Sequence, residues 1–524
     1  MKRNGMETEG TKESGKEIGR IRKKVLLGSI GILIIIAGFG VLRWAGRSGN
    51  GSSKGGDEKQ RPEGLPAWEA DREAGADGPE AEEGGAGEAV PVEQEQSKKG
   101  TAERAEGETG RKGGEQGQNL AKSEESRTEK RQTEKGTEKE TEEKAEAVKE
   151  EIEALPEAEE RGVKSPAEEA EVILEGMELE EKVAQMFFIT PELITGVSCV
   201  TAAGEKTKAA LDRYPVGGFI YMARNLENAE QTGQMLSCVQ EYMMEKCGFP
   251  VFLGVDEEGG RVLRIGSNAK FGVEETDAMG ALAKEENPEA VVRNAGNTIG
   301  KYLSELGFNV DFAPDADVLT NDRNRVIGDR SFGKDSGTVA GLAWEFAQGL
   351  HDNGIMACYK HFPGHGGTVE DSHEGYAYSY KTWEELEETE LVPFRSGSRN
   401  GIEFIMVSHI SLPSFQGTNL PATLSESVVT GKLREEIGYE GIIITDSMNM
   451  GAVSRHYAAG EAAVMAVQAG CDMLLMSQGF EESYLAVLEA LETGEISEKR
   501  IDESVRRILE AKLKWRNAYW NNQG

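Results

Sequence analysis

Eight short apolar runs, separated by longer amphipathic stretches, occupy roughly the last 360 residues, and no other feature constrains the fold as strongly. The runs fall at 185–189, 217–222, 251–256, 309–315, 355–361, 404–409, 442–446 and 473–476. Each is nearly continuous in apolar residues, the texture of a strand buried on both faces. Between them, stretches such as 228–245, 288–306, 337–352, 383–398 and 461–469 space their apolar residues by three and four, as helices do. Ser497 is placed to cap a last helix carrying Ile501, Val505, Ile508 and Leu509. The alternation predicts an α/β fold, a single (β/α)8 barrel of the TIM type over 166–524. A doubly wound open sheet competes, but no GxGxxG opens the first helix.

Barrel enzymes keep their chemistry at the carboxyl ends of the strands, and the polar residues here gather at the ends of the runs. Asp256 follows the third run, and Asp315 and Asp317 follow Phe312 in the fourth. Lys360 and His361 end the fifth run, Ser408 and His409 the sixth, and Asp446 the seventh. The densest stretch is Lys360-His361-Phe362-Pro363-Gly364-His365-Gly366, followed by Asp371-Ser372-His373. It holds three of the six histidines in the chain. Titratable groups crowded just beyond a buried strand are costly to place and hard to explain by packing, so this stretch reads as an active-site loop. Gly364, Gly366 and Gly367 predict that the loop moves.

The first 165 residues have a different texture. A basic tail (1–24) with Arg20, Arg22, Lys23 and Lys24 at its end precedes an apolar stretch at 25–42 interrupted only by Ser29. That length suits one membrane crossing, and the flanking charge keeps the N-terminus cytoplasmic and sends the rest outside. A cleaved signal peptide shares the basic start and apolar core, but no clear small-x-small site follows. Residues 43–165, rich in Glu, Lys, Gly, Gln, Thr and Ser, bury too little to offset ordering entropy and read as a disordered tether. The sequence therefore predicts a single-pass, membrane-anchored protein with its folded part outside the cytoplasm, or a secreted one if the segment is cleaved. The net charge of −34 argues against nucleic-acid binding. Five cysteines without CxxC spacing predict neither a disulfide framework nor a zinc or iron–sulfur site, and several sit in apolar contexts as small buried hydrophobes. No metal dependence and no cofactor is indicated, and one barrel of this kind suffices as a monomer.

Single residues leave their roles open. Asp446, in Thr445-Asp446-Ser447-Met448-Asn449-Met450, has no adjacent Lys or Arg and suits a nucleophile or cation stabiliser at a barrel mouth, or equally an N-cap. Asp371 and His373, two apart, can share one side of an extended loop. The carboxylate would then orient an imidazole able to donate and accept protons near neutrality; a capped turn is the alternative. Asp256, Arg264, Arg330, Lys360 and His361 are donors and acceptors suited to a polyhydroxylated ligand, though each alone could be a salt bridge or cap.

Taken together, Met177-x-Leu179-Glu180-Glu181-Lys182-Val183-x-Gln185-Met186-Phe187, Val216-Gly217-Gly218-Phe219-Ile220, Asp256-x-Glu258-Gly259-Gly260-Arg261-Val262, Ile327-Gly328-Asp329-Arg330-Ser331-Phe332 and Ile501-Asp502-Glu503-Ser504-Val505-x-Arg507-Ile508 resemble glycoside hydrolase family 3 over about residues 167–515. The Lys360–Gly366 run with the downstream Asp371-Ser372-His373 is similar to the β-N-acetylhexosaminidase branch. The resemblance implies a retaining exo-β-N-acetylglucosaminidase acting on peptidoglycan- or chitin-type glycans. Asp446 would be its nucleophile, His373 its acid/base assisted by Asp371, and Asp256, Arg264, Arg330, Lys360 and His361 its sugar-binding residues. A neutral imidazole repels phosphate less than a carboxylate does, so a β-N-acetylglucosaminide phosphorylase is an alternative within the family. A non-catalytic cell-wall-binding protein is the alternative from another class. Gly367 stands where many relatives have an acidic residue, which implies altered loop dynamics.

Overall fold

The computed structural model describes residues 164–368, 372, 375–477 and 479–519. The anchor expected at 25–42 and nearly all of the tether expected at 43–165 lie outside the described residues. Among the described residues no helix is long and apolar enough to cross a membrane. Ser165 caps the first described helix, Pro166–Gly176, through a reciprocal capping box with Glu168.

Eight parallel strands form a nearly closed barrel. They are β1 (Phe187–Ile189), β2 (Gly218–Ile220), β3 (Phe252–Val255), β4 (Val310–Asp311), β5 (Met356–Phe362), β6 (Phe404–Val407), β7 (Ile442–Thr445) and β8 (Leu474–Leu475). Neighbours in sequence are neighbours in space from β1 to β7, and β8 returns to pair with β1 through Phe187–Leu474 and Phe188–Leu475. The β7–β8 side is joined by a single parallel bridge, Ile444–Met473. The eightfold alternation read from the sequence is therefore a barrel, and the open-sheet alternative falls away.

Strand periodicity sorts the side chains into two cores. Phe188, Ile220, Phe252, Val310, Phe312, Met356, Phe404, Met406, Ile442, Ile444, Met473 and Leu475 fill the barrel, with Ile508 rising from below. The remaining apolar residues pack between the strands and the surrounding helices. Gly254 has a steric reason: a Cβ there would come within 2.8 Å of both Phe188 and Phe312, whose rings meet edge to face at 5.0 Å. The last helix, α1 (Glu498–Ala518), starts on its expected Ser497 cap and passes beneath the barrel.

Several expected boundaries shift for local reasons. Gln185 ends the helix Leu179–Gln185 instead of starting β1, because its side chain is needed below the barrel, donating to the Pro215 carbonyl and accepting from Lys512. The stretch at 383–398 is two helices, Trp383–Glu388 and Val392–Asn400: the backbone leaves the helical region at Thr389, and Pro393 sits in the first turn of the second helix, where proline is favoured. The fourth run is strand only over Val310–Asp311, because Pro314 has no N–H for a ladder. The last run shortens to Leu474–Leu475, and Met476 leaves it at φ 47°. Of the cysteines, all free, Cys358 and Cys471 are buried, Cys238 and Cys247 half-buried, and Cys199 is exposed.

Candidate active site

At the carboxyl end of β3 the chain forms a small hairpin, Glu257–Gly259 against Val262–Leu263. Alternation along its first strand sends the two glutamates to opposite sides. Glu257 turns away from the mouth, where its carboxylate accepts the N–H groups of Arg264 (2.6 Å), Ile265 (3.1 Å) and Gly266 (2.7 Å) and the Tyr302 hydroxyl (2.7 Å). That clamp sets the backbone from which Arg264 projects. The guanidinium of Arg264 ends 3.7 Å from Asp256.

Glu258 turns inward and is the hub of a charge network. Arg330 approaches it with two nitrogens, Nε at 2.7 Å and Nη2 at 2.8 Å, the forked geometry of a guanidinium on a carboxylate. Lys360, near the end of β5, lies 2.6 Å from Glu258 and 2.8 Å from Asp256. Burial alone would raise the Glu258 carboxyl, but Arg330 and Lys360 outweigh it and hold it well below the usual carboxylate range. Lys360 is held charged in the same way, with Asp256 and Glu258 outweighing the burial of the ammonium.

His361 is oriented by two neighbours. Its Nδ1 lies 2.7 Å from Asp317 Oδ2, and its Nε2 lies 3.4 Å from Arg330 Nη2. Since arginine can only donate, the consistent assignment is a neutral ring with its proton on Nδ1. Burial, with Arg330 adding repulsion, pushes His361 down to about 4, in keeping with that tautomer. Asp317 also accepts the His365 N–H at 2.5 Å. His365 is buried and pushed down to about 4, with its ring nitrogens 2.9 Å from Thr368 Oγ1 and 3.2 Å from Ser372 Oγ. Asp315, beside Asp317, is raised by burial and by its acidic neighbour to about 7.

Asp446 ends β7 at the same mouth. Its backbone N–H donates to Val407 at 2.8 Å, and one carboxylate oxygen accepts the Ser447 N–H at 2.7 Å. It is half-buried, and its charge reaches His361 and His365. The N-cap role considered for it does not hold, since the short helix that follows, Gly451–Ser454, starts from Met450. Asp256, Arg264, Arg330, Lys360 and His361 are therefore brought together at one mouth. Asp371 and His373 lie outside the described residues. Ser372, between them in sequence, is buried, and its carbonyl accepts the Ala452 N–H of the β7 loop at 3.1 Å.

Asp315, Asp317 and His361 place ligand-type atoms within 4.8 Å of one another, a spacing a metal ion could use. The residues present do not suit one. Asp317 is already engaged by His361 and His365, and Asp315 faces the Arg330 guanidinium at 3.3 Å, so an added cation would meet a buried like charge. Sequence reasoning left Glu258 and Asp317 off the list of site residues, although one joins the two cations and the other orients His361. Two adjacent glutamates in a strand were the available signal, since one of them must face the mouth. His409, by contrast, is tied between Thr423 Oγ1 (2.6 Å) and the Ser447 carbonyl (2.9 Å) and serves to link β6 to the β7 loop. A cavity of about 480 Å³ at the amino ends of β5–β7, lined by His351, Glu403, Tyr439 and Trp515, lies at the other end of the barrel.

The profile of the "Glycosyl hydrolase family 3 N terminal domain" matches residues 178–511. The chain is 30% identical over 340 residues to a protein of Pseudoalteromonas piscicida named Beta-hexosaminidase A, covering 60% of this chain and 56% of that one. It is 35% identical over 273 residues to Beta-hexosaminidase LpqI of Mycobacterium tuberculosis, covering 50% and 68%. Among solved structures, a glycoside hydrolase family 3 β-N-acetylglucosaminidase from Paenibacillus sp. superposes with a TM-score of 0.60 at 37% identity, over 65% of this chain and 63% of that one. The chain thus spans less than two thirds of the Pseudoalteromonas and Paenibacillus proteins.

Proposed function

Because the chain belongs to glycoside hydrolase family 3, we propose that it is a retaining exo-β-N-acetylglucosaminidase that removes terminal β-linked N-acetylglucosamine from peptidoglycan- or chitin-type glycans. The observation that carries this reading is Asp446 at the carboxyl end of β7, facing the same mouth as the Asp256–Lys360–Glu258–Arg330–His361 network. The names of the relatives support the sugar.

In the proposed mechanism the Asp446 carboxylate attacks the anomeric carbon while His373 protonates the departing glycosidic oxygen. The result is a glycosyl ester on Asp446 and a free alcohol. His373, now neutral, takes a proton from water, whose oxygen attacks the same carbon, and Asp446 leaves as carboxylate. Two inversions return the β configuration. Asp371 is assigned to hold the imidazole of His373. Asp256 and Arg264, the partly exposed members of the network, are assigned to hydrogen-bond sugar hydroxyls. Lys360, 2.8 Å from Asp256, holds that carboxylate in direction, and Arg330 and His361 lie deeper in the same network.

A chromogenic β-N-acetylglucosaminide tests the reading. The wild-type chain is expected to cleave it, and Asp446→Ala or His373→Ala to lower kcat by roughly 10³-fold or more. Intact turnover in Asp446→Ala would remove the assignment. Mass spectrometry of the peptide containing Asp446 after rapid quenching should show one added sugar. Product analysis with phosphate supplied separates hydrolysis from phosphorolysis, since only the latter yields a sugar 1-phosphate. We also propose, on the sequence of 25–42 alone, that the catalytic domain is held outside the cytoplasmic membrane. Protease accessibility on intact cells tests this.

A further inference from the structure

From Tyr376 the chain runs along the mouth. Tyr378 forms a parallel bridge with Ser411, Ser379 N–H donates to the Ser411 carbonyl at 3.0 Å, and Ser411 N–H donates to the Ala377 carbonyl at 2.8 Å. This pairing with the β6 loop imposes a period of two. Ala377 and Ser379 face inward and are buried, Tyr376 and Tyr378 are half-buried, and Tyr380 is 69% exposed.

The three outward tyrosines form a continuous row. The Tyr376 and Tyr378 rings are 6.2 Å apart, and those of Tyr378 and Tyr380 are 5.8 Å apart with planes 16° from parallel. At the inner end Tyr376 lies flat on His456, 4.1 Å away and 13° from parallel, and His456 belongs to the same β7 loop as Asp446. The row therefore starts among the loops that carry the proposed nucleophile and leads outward to solvent. Packing does not account for its outer end, since a tyrosine with most of its surface in water contributes little to a core.

We propose that Tyr376, Tyr378 and Tyr380 form the platform for the leaving-group side of the substrate, on which successive sugar rings stack by their apolar C–H faces. The substrate class is then a β-linked oligosaccharide longer than a disaccharide. The proposal rests on the glycosidase reading above. It deepens that reading by assigning chain-length preference to a strip whose rings succeed one another at 6.2 and 5.8 Å. The His456 stack fixes the inner ring, and the outer two tyrosines confer the preference for length.

The test compares β-1,4-linked N-acetylglucosamine oligomers of two and four rings on the full chain. The wild type is expected to favour the tetramer, and Tyr378→Ala to lower the tetramer-to-dimer ratio of kcat/KM by about tenfold, mainly through KM. Tyr380→Ala should lower it by roughly threefold, and Tyr380→Phe should restore it. Equal losses on both oligomers, or a wild type indifferent to length, would overturn the platform. If the wild type cleaves neither oligomer, the glycosidase reading falls, and calorimetric binding of the tetramer decides the platform by itself. Weaker binding by Tyr378→Ala than by the wild type upholds it, whereas equal affinities or no binding reject it.

Discussion

Glu258 shows how much one carboxylate can hold together. It lies between an ammonium and a guanidinium, 4% and 12% exposed at the side chain, and removing its charge leaves both cations facing only Asp256 and Asp315. Glu258→Gln should therefore destabilise the domain by about 3 kcal/mol, read by urea denaturation, because each buried cation loses its nearest carboxylate and is left undercompensated. Its pH dependence has a definite sign. The folded carboxyl titrates below its unfolded value, so its contribution is present above the unfolded pKa and is lost as pH falls through the folded one. Asp317→Asn is expected to cost ~1–3 kcal/mol, since an amide cannot accept from both His361 and His365. At this scale the sequence was partly legible. Asp256, Arg264, Arg330, Lys360 and His361 could be picked out by type and by place at strand ends, and they do converge. Asp317 could not be given a partner, because its role depends on contacts with His361 on β5 and with His365 that only the closed barrel creates.

Helix α1 carries a buried lysine under the barrel. Lys512 donates to Gln185 Oε1 at 2.6 Å and lies 5.0 Å from the centre of the Phe252 ring. Burial pushes its pKa down to about 7. The unfolded chain, titrating near the ordinary lysine value of ~10.4, binds more protons between those two values, so wild-type stability rises with pH across that window. Lys512→Met should raise the melting temperature, most at pH 6, where the folded lysine is charged, and progressively less towards pH 10. Calorimetric scans at three pH values would check the slope, and a variant less stable than wild type at pH 6 would contradict it. This feature was invisible in the sequence, where helix periodicity gave Ile501, Val505, Ile508 and Leu509 but said nothing of what lay beneath the barrel. Helix existence was legible from spacing, and 288–306 matches Pro288–Leu306 to the residue. Strand ends were not, because runs such as 309–315 stay apolar after their ladder has stopped.

For the molecule as a whole, the eightfold alternation was enough to give the barrel and the end at which chemistry gathers. Ring closure follows from connectivity, and it puts every carboxyl-terminal loop at one mouth. The family profile covers 178–511 and Ser165 caps the first described helix, so a fragment starting at Lys164 is expected to fold on its own. It should cleave the chromogenic substrate with kcat/KM within about twofold of the full chain; a tenfold loss would show that the first 163 residues contribute to catalysis.

The return of β8 to β1, with Ile508 entering the barrel from below, also fixes an order of events. A growing chain that has emitted seven strands still has an open seam, and the plug for its floor is made last. Biosynthesis must carry an incomplete, sticky sheet until the final helix is released, so damage confined to the distal tail should strand the entire domain in a holdase-bound or degraded form.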